Sequence, residues 1–598
     1  MSYDLKFIYG SRLKKYNTLK QKSLRISKTV SLLRLLVFLL AVGLIYFFSL
    51  IDSISGIIFT ILLSAGVFIY IVKYHSRILT RKKLQEAFIK INKNELDALK
   101  GDYSKFDNGE EFNDPEHPYS ADLDIFGDGS LFQFLNRTST LIGKMKLAER
   151  LKNPFLKADE IRESQEAIAE LKEKLDWRQN FHAIGITHDE KENDKERILN
   201  WVKEPPVFKH PIFTVLLVLI PLFTLIMIIL FSLNYINLQL FIVYLVIPLG
   251  ISGSFALKVN ARHAQVSKTT DLLNIYTLLL NEIESKEIKS TMLRELRKKL
   301  LDNGTNAGQS IKKLSAILTA LDNRLNFVSW TLFNGLALWD ILQMKRLENW
   351  QKQHKNKLAL WFEVIAEIDT LNSFACYYYN NEYASFPQII TAQFAVKAES
   401  MGHPLIDKNA RVDNTVEIGN NEFIIITGAN MAGKSTYLRT IGVNLVLGMC
   451  GAPVCAKNFR FSPIRIYTSI RTKDSLHKNE SYFYSELKRL KYIIDELKNG
   501  TKLFIVLDEI LKGTNSKDKH AGSEALLKQF ISFNTSGIVA THDVALGALE
   551  KSFPDHIKNR CFEVDINGSR LSFDYKLKEG VSKNMNATML MREMGITV

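Results

Sequence analysis

The chain has 598 residues, 46% of them hydrophobic, a net charge of +15 and four cysteines. That length accommodates several domains. Cys376, Cys450, Cys455 and Cys561 form no C-x-x-C pair and have no histidine at metal spacing, which argues against a disulfide framework or zinc site. The positive surplus points to nucleic acid, an anionic membrane face, or both.

In chain order, residues 1–30 form a basic tail, with Arg12, Lys14, Lys15, Lys20, Lys22, Arg25 and Lys28 against Asp4. Four apolar runs without an ionised side chain follow, at 35–51, 54–72, 212–233 and 238–257. Each approaches the roughly 20 residues that a bilayer crossing needs. Tyr46, Tyr70 and Tyr235 sit near their ends, where interfacial aromatics belong. Lys73, Arg77, Arg81, Lys82 and Lys83 follow the second run, Lys209 precedes the third, and Lys258, Arg262 and Lys268 follow the fourth. The intervening turns carry only Asp52 as a charge. The positive-inside rule then predicts transmembrane hairpins at 31–73 and 211–258 of a multi-pass cell-membrane protein, with both termini and 74–210 in the cytosol. Buried core helices are the alternative, but they explain neither the pairing nor the flanks.

Segment 74–210 has loop composition at 107–118, a helical pattern at 131–151 and an amphipathic helix at 158–177. Residues 262–352 are rich in Leu, Lys and Glu and read as two or more long helices, with another over 358–379. An all-α domain is therefore expected over 259–399. Over 400–598, β-branched strands alternate with short helices, the pattern of an α/β sheet.

That last segment contains GANMAGKST at 428–436, which fits G-x-x-x-x-G-K-[ST]. It lies between an apolar strand at 423–427 and the opening of a helix at 437–441, the context this phosphate loop requires. Gly428, Ala429, Asn430, Met431, Ala432, Gly433, Lys434, Ser435 and Thr436 would cradle a phosphate chain with their N–H groups. Lys434 would reach the terminal phosphates, and the Ser435 hydroxyl would ligate Mg²⁺. The strand at 503–507 ends in Asp508 and Glu509. Asp508 is expected to hold Mg²⁺ through water, and Glu509 to orient the attacking water. The strand at 536–541 ends at His542, placed to meet the γ-phosphate or the water. A strand ending in acids and a histidine with a structural role are the bland alternatives. Following a phosphate loop, the catalytic reading is the stronger one, with ATP and Mg²⁺ as ligands.

These residues resemble the MutS family of DNA mismatch-repair ATPases, within the ABC-type ATPase class. The family's loop looks like GPNMGGKST, from which Ala429 and Ala432 depart. Gly513 and Thr514 match its glycine-arginine-glycine-threonine run, and ATHDVAL at 540–546 looks like its histidine loop. Gly402, His403, Pro404 and Asn414 resemble the segment that covers the adenine, with Arg411 or Val412 in place of the usual aromatic stacker. Residues 479–483 with Glu486 resemble the family's serine-threonine-phenylalanine signature. By that resemblance, Ser481 would reach the γ-phosphate of the opposite subunit of a homodimer. Residues 583–587 are similar to a late helix start. More faintly, Gly129 to Phe132, Thr138, Thr140, Gly143 and Pro154 look like the start of the family's lever domain. Glu367, Ile368, Asp369, Ser373 and Ala375 look like its end, so the second hairpin would be inserted within the lever.

The resemblance implies a multidomain fold: an ABC-type P-loop ATPase domain, an all-α lever and two transmembrane hairpins. It also implies ATP hydrolysis coupled to lever motion, with binding of (mismatched) DNA as in mismatch repair. Lys289, Arg294, Arg297, Lys298, Lys299, Lys312 and Lys313 are candidate phosphate contacts. No counterpart of the family's phenylalanine-x-glutamate mismatch wedge stands before Leu131. The alternative is an ATP-driven membrane switch acting on a membrane-protein partner. A transporter fits least: no LSGGQ-like signature is present, and the apolar runs carry no charge.

Overall fold

The computed structural model describes residues 2–302, 305–470, 482–567 and 570–583. It begins with an antiparallel hairpin of two long helices, α1 (Ser2–Leu50) and α2 (Ile54–Ala98). Asp52 takes a left-handed φ of 48° in the turn, and Ser53 Oγ caps α2 by accepting from the Gly56 N–H. Over residues 2–30 the basic tail is therefore helical, the first part of α1. No proline breaks it, and it docks: Tyr9 is buried and its hydroxyl donates to Asn380 at 2.7 Å.

The pattern at 131–151 divides into α3 (Leu131–Leu135) and α4 (Leu141–Lys152), because Asp369 draws the intervening backbone to itself by accepting from the Ser139 and Thr140 N–H groups. The helix expected over 158–177 likewise divides into α5 (Ala158–Lys172) and α6 (Leu175–Gly185). Arg178 donates to the carbonyls of Leu171 and Lys172, satisfying the end of α5 from the start of α6. Next come α7 (Asp194–Lys203) and a second hairpin, α8 (Ile212–Ser232) and α9 (Leu238–Val266). Helices α1, α2, α8 and α9 are each long and apolar enough to cross a membrane. Only 6–11% of their apolar windows is buried, whereas core helices would be covered.

After α9 the expected long helices are absent. Instead there are α10 (Thr270–Ser285), α11 (Thr291–Lys298), the two-residue strands β1 (Leu301–Asp302) and β2 (Thr305–Asn306), then α12 (Ala307–Asp322), α13 (Phe327–Ala337) and α14 (Trp339–His354). None exceeds 16 residues. Composition set the element type, but local geometry set the breaks: Leu338 adopts φ 49°, and Asn326 caps α13 through the Ser329 N–H.

Helix α15 (Leu358–Asn380) is the spine on which the helical part is assembled, buried from Leu358 to Tyr377 at nearly every position. Its Glu367 pairs with Arg150 of α4 at 2.8 Å, both side chains below one-tenth exposed. Removing one member strands a buried charge, so Glu367→Ala should cost about 3–5 kcal/mol. A lowered denaturant midpoint of the purified protein checks this.

Two sheets follow. The smaller has the order β3-β7-β4-β5, with β3 (Gln388–Ile389), β4 (Val396–Met401), β5 (Asn414–Ile418) and β7 (Asn458–Phe461). Because β4 spans the boundary expected at 400 and pairs with β5 and β7, the α/β part starts at β3. The larger sheet has the order β12-β11-β6-β10-β9-β8. It comprises β6 (Phe423–Gly428), β8 (Arg465–Ser469), β9 (Leu503–Asp508), β10 (Ser536–Thr541), β11 (Ile557–Asn567) and β12 (Arg570–Glu579). All its pairings are parallel except β11 with β12. Its central strands β6, β9 and β10 are buried on both faces, as parallel strands require. Ile424 and Ile426 face α16 (Lys434–Met449) and the helical part, while Phe423 and Ile425 join the core beneath α17 (Tyr482–Lys498) and α18 (Ser516–Ser532). The short α19 (Leu549–Ser552) precedes β11.

The helical and α/β parts share one continuous apolar core. Leu123 packs on Gly442 of α16. Asp122 accepts from Thr468 of β8 at 2.6 Å and from Arg489 of α17 at 2.9 Å, and its carbonyl accepts from Arg439 of α16.

Candidate active site

The ends of β6, β9 and β10 lie side by side at the carboxyl edge of the larger sheet, and each delivers a piece of the site. From β6 the chain enters the loop 428–436. Gly428 is required there by close approach, since a Cβ would lie 2.7 Å from the Phe562 carbonyl. Gly433, at φ 104°, is the N-cap of α16 and lets the helix start beneath the loop. Met431 is exposed at the rim with φ 67°. The loop and the N-terminus of α16 thus present N–H groups to an anion.

Lys434 is the first residue of α16 and is 6% exposed. Its ammonium donates to the carbonyls of Gly428 and Ala429 at 2.7 and 2.9 Å, and burial pulls its pKa down to about 8 despite Asp508 and Glu509 nearby. Next to it, the Ser435 hydroxyl donates to Asp508 at the end of β9. The pair brings hard oxygen donors together in the arrangement that suits Mg²⁺. Among the described residues, no group of three or more His, Cys, Asp or Glu side chains forms a self-sufficient metal cage.

Glu509 turns the chain at φ 60°, with its N–H on the Ala540 carbonyl at 2.8 Å. Burial would raise its pKa, but the hydrogen bond and charge of Lys519, with His542 and Lys512, outweigh this and hold it below the ordinary range. Lys519 Nζ is 2.7 Å from its carboxylate. His542, at the end of β10, has Nε2 3.4 Å from Lys434 Nζ. Burial and then the Lys434 charge lower its pKa, which favours a neutral imidazole.

Lys434, Ser435, Asp508, Glu509 and His542 therefore converge as expected, around a cavity of about 640 Å³. The remaining loop residues expected to line it, Ala429 to Gly433 and Thr436, do so, while Gly428 contributes the carbonyl that holds Lys434. Ser481 lies outside the described residues, as do 479, 480 and 584–587 of the resembling segments.

The far wall of the cavity changes one expectation. Arg411 and Val412 both line it, but Arg411 is committed elsewhere: it bonds Asp413 at 2.6 Å and lies over the Tyr383 ring at 4.6 Å. Aromatics do reach the cavity: buried Tyr437 and Phe562, and Tyr575 of β12, 44% exposed beside Gly433. Asn414 fixes that strand by donating to the Tyr575 carbonyl and accepting from the Leu577 N–H, both at 2.9 Å.

Lys519 was also missed as a site residue, and Glu486 was noted only within the resembling signature, without a role. Buried Glu486 accepts from the Leu511 and Lys512 N–H groups at 2.6 and 3.1 Å, holding the turn after Glu509. The position of Lys519 in the first turn of the helix after the carboxylate strand was the available signal. Nothing in the sequence marked Tyr575.

Two family models match the chain: "MutS domain III" over residues 119–375 and "MutS domain V" over 424–594. The first match includes α8 and α9. The DNA mismatch repair protein MutS of Thermotoga petrophila is 29% identical over 250 residues, covering 41% of this chain and 31% of that protein. The protein of the same description from Aquifex pyrophilus is 28% identical over 310 residues, 50% of this chain and 34% of its own. Human MutS protein homolog 4 is 29% identical over 246 residues, 39% of this chain and 25% of its own. The matches thus span about a third or less of these relatives' lengths.

Proposed function

The chain belongs to the MutS family, and on that premise we propose that it is a membrane-anchored, Mg²⁺-dependent ATP hydrolase of the ABC-type class that acts on DNA as a homodimer. The convergence of Lys434, Ser435, Asp508, Glu509 and His542 at the carboxyl edge of the sheet carries this reading. The N–H groups of 428–436 and Lys434 bind the phosphates of ATP, and Tyr575 stands where the base is to be received. Ser435 and Asp508 would hold Mg²⁺, which when bound would neutralise charge on the phosphate oxygens. Glu509 orients the attacking water and accepts its proton, and neutral His542 steadies the γ-phosphate side. The loop's movement passes through α16 to Asp122 and Leu123 and so into the helical part. Residues 400–598, extended back to β3 at 388, act as the ATPase domain; 259–387 with most of 74–210 act as the lever.

Helices α1, α2, α8 and α9 cross the cell membrane as two hairpins, with the termini, lever and ATPase domain in the cytosol. Their exposed apolar surface and the flanking lysines and arginines support that placement.

The pairing of Glu509 with Lys519 sets a pH dependence. A lowered carboxylate pKa keeps the base ionised as pH falls, so the acid limb of turnover lies below the ordinary glutamate range. Lys519→Ala should move that limb upward, read from a pH–rate profile of phosphate release.

For the DNA partner, Lys289, Arg294, Lys298, Lys299, Lys312 and Lys313 are exposed on α11, α12 and their connections, whereas Arg297 is half-buried and donates to the Lys286 carbonyl. Phosphate contacts through such a face give binding that weakens steeply with salt. Fluorescence anisotropy of duplex and mismatched DNA with detergent-solubilised protein should show this. Replacing Lys298, Lys299, Lys312 and Lys313 by Ala should reduce the salt slope. No DNA binding at low salt with ATP, ADP or no nucleotide would favour a second reading, an ATP-driven switch acting on a membrane-protein partner. The exposed helical hairpins supply the surface for that reading.

A further inference from the structure

Helix α13 reads FVSWTLFNGLA and has eleven residues, too few to cross a bilayer. Its outward side is apolar and bare: Phe327 is 78% exposed, Val328 72% and Leu332 53%, with Leu325 of the preceding turn at 74%. No charged residue occurs from Leu325 to Trp339.

Its inward side is fastened to α9. Arg324, just before α13, donates to Asn260 of α9 at 2.6 Å and pairs with buried Asp340 at 2.8 Å. Near the other end, Gly335 lies so close to α9 that a methyl group there would touch Leu245 and Leu249 at 3.6 and 3.7 Å. Two polar side chains of α13 turn the same way: Asn334 accepts from the Asp340 N–H at 3.0 Å, and the Trp330 indole donates to the Asp340 carboxylate at 3.2 Å.

These contacts fix a depth. Helix α13 starts level with Asn260, beside the basic end of α9, and runs antiparallel to Leu249 and Leu245. Those residues lie 9 and 13 positions before Lys258, about 14 and 20 Å along a helix rising 1.5 Å per residue. That is well inside the apolar run, where α8 and α9 are themselves exposed.

We propose that α13, with Leu325, is a re-entrant helix that inserts into the cytosolic leaflet beside the second hairpin, its outward face against lipid acyl chains. This rests on reading α8 and α9 as membrane spans. Lipid is the occupant because the bare face continues the apolar surface of that hairpin, Asn334 and the Trp330 indole are turned to Asp340, and the Thr331 hydroxyl is satisfied within the helix by the Phe327 carbonyl. The insert joins directly to α12 and α14, which bond to each other through Trp339 to the Ala320 carbonyl and Trp350 to the Ser310 carbonyl. The bilayer thus holds the helical part within the lever as well as at its ends.

The four native cysteines are buried, so a single introduced cysteine takes a nitroxide label selectively. Phe327→Cys, Val328→Cys and Leu332→Cys serve as probes in the full chain, with Leu222→Cys on α8 as membrane reference and Lys528→Cys on α18 as aqueous reference. Each is reconstituted into phosphatidylcholine–phosphatidylglycerol vesicles. Collision rates with oxygen and with a water-soluble nickel chelate are then read by electron paramagnetic resonance. The expected result is that the three α13 sites match Leu222→Cys, with an oxygen-to-nickel ratio several-fold above that of Lys528→Cys. Nickel access at α13 with lipid access at Leu222→Cys would overturn the insertion and leave the hairpin in place. Shielding of α13 from both reagents would also overturn it, since a second copy or a protein partner would then cover the face. Nickel access at Leu222→Cys would overturn the membrane reading and the insertion with it.

Discussion

Glu509→Gln should leave ATP bound and almost unhydrolysed, with turnover down about 10²–10⁴-fold, the usual worth of a positioned general base. The amide has the shape of the carboxylate and leaves the backbone turn at φ 60° undisturbed. It removes the negative charge that Lys519 holds in place at 2.7 Å and the site that would take a proton from water. Phosphate release at saturating Mg²⁺–ATP reads the loss, and equilibrium binding of a fluorescent ATP analogue reads the retained affinity. Parallel loss of binding and turnover would instead make Glu509 a support of the cradle.

Lys434→Ala should act one step earlier, on binding. The ammonium is buried and held against the Gly428 and Ala429 carbonyls, so it is already positioned at the loop. A charged hydrogen bond is worth about 1.5–3 kcal/mol, which corresponds to roughly 10- to 100-fold in Kd. Turnover should fall further, because the same charge also faces the phosphoryl group during transfer. Lys434→Arg should not restore it: the planar fork is larger than the space left by the ammonium's two carbonyl partners. Titration calorimetry with ADP and with ATP separates this binding loss from the chemical loss in Glu509→Gln.

The parts of this site legible in the sequence are local. Strand, phosphate loop and helix follow one another from Phe423 to Met449, and Asp508, Glu509 and His542 each end a strand. Continuous apolar runs bury both faces of those strands, so the α/β sheet was legible, and its parallel pairing brings the strand ends together. The illegible parts come from other elements. Tyr575 reaches the cavity from the antiparallel edge strand, and Glu486 reaches the Glu509 turn from α17. Tyr575 stands at no spacing that a motif reports, and Glu486, although part of the resembling signature, shows its hold on the Glu509 turn only in three dimensions.

In the helical part, composition identified the element type and missed its punctuation. Capping by Arg178, the left-handed Leu338 and the pull of Asp369 on 139–140 divide runs whose periodicity looked continuous. Helix α13 escaped notice for a different reason. Its apolar run is shorter than a membrane span, so its character depends on where α9 places it.

The most direct test of an ATP-driven machine at a membrane is phosphate release by the full-length protein in lipid nanodiscs, with and without Mg²⁺, beside the double variant Lys434→Ala/Glu509→Gln. The account predicts Mg²⁺-dependent turnover by the unsubstituted protein and none above background by the variant. Equal turnover by both, or failure of the unsubstituted protein to bind ATP, would contradict it.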